Sequence, residues 1–156
     1  MKKTLILMRH GKTEDGFGKD DFERELMPRG REEVREAAKK LAAAGYLPGE
    51  IIASPAFRAA ITAHISSHVF DISTTDIRFE ASLYMNGAEA YVQKANDSAH
   101  ETVLVIGHNP YVGELAYIFS KNQLHSFPTS AMAVFEFDGP ISMNTPHKLL
   151  WSHTRK

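Results

Sequence analysis

Three short apolar runs, each cut off by turn residues and each leading into a helical pattern, constrain the fold of this chain more than any other feature. They are Thr4–Met8 (TLILM), Glu50–Ser54 (EIIAS) and Thr102–Gly107 (TVLVIG). All are too short for an ordinary helix and too continuously apolar for a strand wet on one side, so they read as strands buried on both faces. In REEVREAAKKLAAAG, Arg31–Gly45, the positions Val34, Ala37, Ala38 and Leu41 recur at helical spacing and Gly45 supplies a stop. In SPAFRAAITAHISSHVF, Ser54 is expected as an N-cap and Pro55 at the first helical position, with Phe57, Ile61 and Ile65 on one stripe. NPYVGELAYIF repeats that opening with Asn109 and Pro110, then places Val112, Leu115, Ala116 and Phe119 on one face. Two later runs, Ala133–Asp138 and His147–Ser152, alternate and read as half-covered or edge strands. Strands alternating with helices imply an α/β fold: a three-layer αβα sandwich around a mostly parallel sheet.

Composition narrows what such a fold can do. With 156 residues, 43% hydrophobic and 24% charged, the chain is expected to form a single domain over residues 1–156. Eighteen Lys and Arg against nineteen Asp and Glu leave a net charge of −1. No bulk positive field favours nucleic acid or an anionic membrane, so any anion site has to be built locally. The absence of cysteine excludes a disulfide framework, a thiolate nucleophile and Cys-based metal centres. Met1–His10 sets two lysines before an apolar stretch, but the stretch stops at Arg9 without a cleavage site, and no segment approaches the ~20 apolar residues that span a bilayer. The cytoplasm is the expected location on that ground, and a monomer the expected state.

In sheets of this kind, function gathers where the carboxyl ends of strands give way to turns. Arg9 and His10 lie at the end of the first run, Arg58 in the first turn of the helix after the second, and His108 at the end of the third. Guanidinium groups grip a tetrahedral oxyanion through several donors and neutralise charge as it builds. A neutral imidazole can attack phosphorus while its second nitrogen is held by a hydrogen bond, and flanking arginines disfavour its protonated, non-nucleophilic form. Helix starts near Pro55 and Pro110 add positive dipole ends, and Gly11 is expected to permit a tight turn and close approach by an anion. The chemistry these residues suit is phosphoryl handling. No metal and no cofactor are expected, since the arginines repel a dication and His64 and His68, though spaced i, i+4, lack the Glu of an H-E-x-x-H pair. His100, His125, His147 and His153 stand in no motif, and the Phe127–Ser130 turn is either a pocket wall or a plain connection.

The segments LILMRHG, SPAFRAAITA and VLVIGHNP resemble the three catalytic segments of the histidine phosphatase superfamily, the fold group that includes phosphoglycerate mutases. Within it the chain is most similar to the small SixA-type phosphohistidine phosphatases, a likeness extended by RELMPRGREEV, SLYMNGAEA and FPTSAMAVFEF. The resemblance implies a phosphoglycerate mutase-like fold, His10 as nucleophile, Arg9 and Arg58 as phosphate ligands, His108 as the second histidine on the phosphoryl oxygens, and Arg24 near the pocket mouth. Its implied partner is a phosphorylated protein or a small phosphorylated metabolite.

One departure bears on the substrate. Mutases and many phosphomonoesterases of the superfamily carry an acidic proton donor in the segment after the second helix, and here Ser82 in FEASLYMNG takes that place. An alkoxide leaving from an ester needs such a proton, whereas protonated phosphohistidine expels a neutral imidazole. The missing acid therefore points to an N–P bond, with Glu14, Asp15, Glu80 and Glu89 as stand-in acids. The connection from Gly11 to Met27 holds no insertion large enough for a deep lid, so an open site is expected. The alternatives are a small-molecule phosphomonoesterase with the same chemistry and a non-catalytic phosphate- or phosphoprotein-binding module.

Overall fold

A computed structural model describes residues 1–155. The three apolar runs are strands β1 (Lys3–Arg9), β2 (Glu50–Ala53) and, fourth in chain order, β4 (Thr102–Gly107). Helix α1 (Pro28–Ala43) joins β1 to β2. After β2 come α2 (Phe57–Val69), the two-residue β3 (Arg78–Phe79), the single turn α3 (Ser82–Met85) and α4 (Ala88–Asp97). After β4 come α5 (Tyr111–Phe119), β5 (Met132–Phe137) and β6 (His147–His153). The sheet runs β3-β2-β4-β1-β5-β6. Its first four strands are parallel, β5 pairs antiparallel with β1, and β6 pairs antiparallel with β5.

Both faces of the sheet are covered, which explains why Leu5–Met8 of β1 and Val103–Ile106 of β4 are apolar at successive positions. Leu5 and Leu7 of β1, with Val103 and Val105 of β4, pack against Tyr91, Leu115 and Phe119 of α4 and α5. Ile6 and Met8, with Leu104 and Ile106, pack on the opposite side against Val34, Leu41, Ala59 and Ala63 of α1 and α2. Each large side chain so buried contributes roughly 1.5–3 kcal/mol. The result is a three-layer αβα sandwich.

Helix α1 buries Val34, Ala37, Ala38 and Leu41, the face its periodicity picks out, and Gly45 beyond it takes φ +92. Three expectations need correction. Helix α2 starts at Phe57, so Ser54 and Pro55 lie in the preceding turn and Ser54 is not its N-cap. The buried face of α2 is the small-residue set Ala59, Thr62, Ala63, Ser66 and Ser67. The Phe57–Ile61–Ile65 stripe lies at its margin, Phe57 being 41% exposed, because small side chains let this helix approach its neighbours closely. Strand β5 is buried rather than half-covered, with Phe135 and Phe137 facing one layer and Met132 and Val134 the other. Of these two alternating runs, only β6 lies at an edge of the sheet, β3 forming the other edge. Among the described residues no helix is long and apolar enough to cross a membrane.

Candidate active site

The chain leaves β1 toward α1 on one face of the sheet and leaves β4 toward α5 on the other, so a crevice opens between the carboxyl ends of these neighbouring strands. His10 sits at that point. Its backbone N–H donates to the Gly107 carbonyl at 3.1 Å, extending the β1–β4 ladder one residue past the strand. Its Nδ1 lies 2.8 Å from the Gly11 carbonyl. A carbonyl only accepts, so Nδ1 carries the hydrogen and Nε2 keeps its lone pair. Burial pushes the pKa of His10 down to about 3, against the opposing pull of the Gly11 hydrogen bond and with smaller help from His108, Arg9 and Arg58. The arginines thus act as expected, but burial is the larger cause. The geometry leaves a neutral imidazole with its lone pair on Nε2.

His108 stands beside it, the ring centroids 5.3 Å apart. Its backbone N–H donates to the Tyr91 hydroxyl at 3.1 Å, and that hydroxyl donates to the Leu83 carbonyl at 2.6 Å. Gly107 is needed for this contact, since a Cβ there would meet the Tyr91 hydroxyl oxygen at 2.2 Å. On the imidazole, Nε2 lies 2.8 Å from Ser54 Oγ, while Nδ1 is buried without a partner among the described residues. Burial and then Arg58 bring the pKa of His108 down to about 4.

The two pocket arginines differ in their surroundings. Arg9 reaches the Phe127 carbonyl at 3.5 Å, so the Phe127–Ser130 turn does border the site, and its Nε is buried and unpaired. Arg58, 8% exposed, donates to the Asp21 carbonyl at 2.7 Å and to Asp21 Oδ2 at 3.0 Å. Asp21 also accepts from the Tyr84 hydroxyl at 2.8 Å and from Arg24 at 3.2 Å. With these partners, Tyr84 foremost, the carboxyl of Asp21 is held down at about 2 despite some desolvation. Tyr84 in turn packs its ring against His108 at 5.6 Å.

The pocket therefore brings together Arg9, His10, Arg58 and His108, and adds Ser54, Asp21 and Tyr84, which sequence reasoning did not place there. Asp21 had a signal, standing three residues before Arg24 at ion-pair spacing. Arg24 reaches the pocket only through Asp21, its other donors going to Thr13 Oγ1 at 2.7 Å and the Glu14 carbonyl at 3.1 Å. Gly11 has a packing duty. Its N–H donates to Thr62 Oγ1 at 3.0 Å, and a Cβ there would meet Val34 Cγ2 at 2.7 Å.

None of the stand-in acids hydrogen-bonds to the four central residues among those described. Glu14 pairs with Lys19, Asp15 accepts from the Phe17 amide, Glu80 pairs with Arg78 and Lys94, and Glu89 is exposed. Ser82 Oγ is buried without a partner. His64 and His68 are exposed on α2, and among the described residues no group of three or more His, Asp or Glu could hold a metal ion. Asp21 sits on Arg58, Phe22 packs against Tyr84 and Phe57, and His10 and His108 are each 6% exposed.

Two neutral imidazoles, one with its lone pair on Nε2, and two guanidiniums beside strand ends make an α/β protein with a site suited to a tetrahedral anion. The family model for the histidine phosphatase superfamily (branch 1) matches residues 5–83, and the chain belongs to that superfamily. Among solved structures, it is similar to the proposed phosphohistidine phosphatase SixA of Agrobacterium tumefaciens, with 26% identity, 98% of each chain covered and a TM-score of 0.82. It is also similar to the protein histidine phosphatase SixA complexed with tungstate, at 25% identity over 96% of this chain and 95% of that one, TM-score 0.79. Mycobacterial glucosyl-3-phosphoglycerate phosphatase, at 15% identity over 96% of this chain and 97% of that one, TM-score 0.64, shares the fold. No curated protein sequence matches the chain significantly.

Proposed function

We propose that this chain is a phosphatase whose His10 takes the phosphoryl group from phosphohistidine on a protein and passes it to water. The observation that carries this reading is that, among the described residues, the carboxylate hydrogen-bonded to the four central residues is Asp21, which is ionised and paired with Arg58, so none of the acids there is placed to donate a proton. Similarity to SixA structures at 25–26% identity supports it.

In the first step the Nε2 lone pair of His10 forms a bond to phosphorus. The P–N bond of the substrate breaks, its electron pair returning to an imidazole that enters protonated on its other nitrogen and leaves neutral. Arg9 and Arg58 neutralise the equatorial oxygens, Arg58 exchanging Asp21 for the substrate anion. The Nδ1–H bond to Gly11 stabilises the positive charge that builds on His10. In the second step water attacks phosphorus, the P–N electron pair returns to His10 Nε2, a proton passes to solvent and inorganic phosphate leaves.

The test compares a phosphohistidine-bearing protein with an alkyl phosphate. General-acid help is worth roughly 10²–10⁴ in rate, so a site without it should favour the N–P substrate by about 100-fold or more in kcat/KM. Equal or faster turnover of the alkyl ester would favour a small-molecule phosphomonoesterase, and binding of either without hydrolysis a binding module.

A further inference from the structure

Ser54 follows β2 directly, in the turn before α2, and is fully buried. Two contacts pin it: its N–H donates to the Ile106 carbonyl of β4 at 3.1 Å, and its Oγ accepts from the Ala56 N–H at 3.2 Å. The remaining polar neighbour of that hydroxyl is His108 Nε2 at 2.8 Å. A hydroxyl has one proton to give, and Ala56 supplies its own, so among the described residues the Ser54 hydrogen has one acceptor, His108 Nε2. If Nε2 were the protonated nitrogen instead, a fully buried hydroxyl hydrogen would be left unpaired, which is costly. Donation from Ser54 fixes the neutral imidazole in the other tautomer, with the hydrogen on Nδ1. That nitrogen is buried and has no partner among the described residues.

We propose that Ser54 is a positioning residue that holds His108 as the Nδ1–H tautomer, so that His108 meets a tetrahedral oxyanion as a hydrogen-bond donor. A donor binds a phosphoryl oxygen, whereas a lone pair in its place repels one. The same hydroxyl joins the turn that carries Arg58 to the turn that carries His108, so one small side chain registers both halves of the clamp. This deepens the phosphoryl-transfer reading by assigning how its second histidine is set, yet its test needs no turnover.

The experiment uses the full chain with ¹⁵N-labelled histidine near neutral pH. Two-bond ¹H–¹⁵N correlations report each imidazole tautomer, and binding of orthovanadate, a phosphoryl mimic, reports the clamp. The wild-type protein is expected to show His108 protonated at Nδ1 and not at Nε2. Ser54→Ala should shift His108 toward the Nε2–H form and weaken vanadate binding on the order of 10–100-fold, the usual cost of removing a group that orients an imidazole. Ser54→Thr, which keeps the hydroxyl, should preserve both signals. A wild-type His108 carrying its hydrogen on Nε2 would overturn the proposal without any variant having to fold. An unchanged tautomer in Ser54→Ala would overturn it too, as would a changed tautomer with vanadate affinity intact. Phosphohistidine hydrolysis enters none of these readings, so failure of the proposed substrate is scored separately.

Discussion

The two walls of the crevice are built on different physics. The wall formed by the ends of β1, β2 and β4 is held by backbone N–H donors, His10 to the Gly107 carbonyl, Ser54 to the Ile106 carbonyl and His108 to the Tyr91 hydroxyl, behind strands whose middles are apolar and buried. The other wall is the polar segment from Lys12 to Leu26, laid over Arg58 by ion pairs of Asp21 with Arg58 and Arg24. The Asp21 side chain is 53% exposed, so solvent screens its pairs, and they can be exchanged for other anions. The wall that carries His10 is preorganised, whereas on the other wall the protein's own carboxylate occupies the Arg58 guanidinium. On the proposed function, a substrate phosphoryl group would have to compete with Asp21 for Arg58 but would find His10 already set.

The largest expected effect lies where the walls meet. Arg58→Ala should lower kcat/KM by about 10²–10³, the usual cost of losing one preorganised donor to transition-state charge. Lys at this position should recover little, because it lacks the planar fork. A loss below tenfold in steady-state assays would mean that Arg58 serves the loop and not the phosphoryl group. On the preorganised wall, Gly107→Ala should drive a methyl into Tyr91 and destabilise the fold by about 3 kcal/mol, read from urea unfolding.

Acid should weaken the same wall. The folded values of His10 and His108, about 3 and about 4, lie below the ~6.5 of an unfolded histidine. Between those values the unfolded chain binds protons that the native chain does not, so this contribution is whole above about pH 6.5 and is lost as pH falls toward the folded values. Stability should drop by about 4 kcal/mol from pH 6.5 to 4.5, roughly 2 from each histidine, with a shallower slope in His10→Asn. A flat profile would contradict neutral, buried imidazoles. The smallest effect belongs to the ion-paired wall. Asp21→Asn removes the resident charge and should tighten inorganic phosphate binding about three- to tenfold in calorimetry, with little change in unfolding midpoint. Weaker phosphate binding would mean that Asp21 orients Arg58 and does not compete with the ligand.

The preorganised wall was legible in the sequence because its signals are local. Runs such as TVLVIG can hardly be other than buried strands, and their endings place Arg9, His10 and His108 without knowledge of packing. The helical face of α1 was equally plain, since Val34, Ala37, Ala38 and Leu41 follow one period. Helix α2 misled because its apolar stripe and its buried stripe differ: Thr62, Ser66 and Ser67 satisfy their hydroxyls within the helix or against Met8 and so can face inward. Ser54 looked like a cap because Ser-Pro usually opens a helix, and only its contact across two strands reveals its other partner. Asp21 and Tyr84 meet across 63 positions, a pairing that no local pattern encodes. Strand β3 and helix α3 are too short to show a period.

His10 is the proposed carrier of the phosphoryl group from substrate to water. Mixing the chain with a phosphohistidine-bearing protein, quenching rapidly in base and sequencing its peptides by mass spectrometry reads this directly. The expected result is a base-stable, acid-labile phosphoryl group on His10, formed at least as fast as phosphate is released and absent from His10→Ala. Hydrolysis that persists in His10→Ala, or a label carried by any other residue, would contradict it.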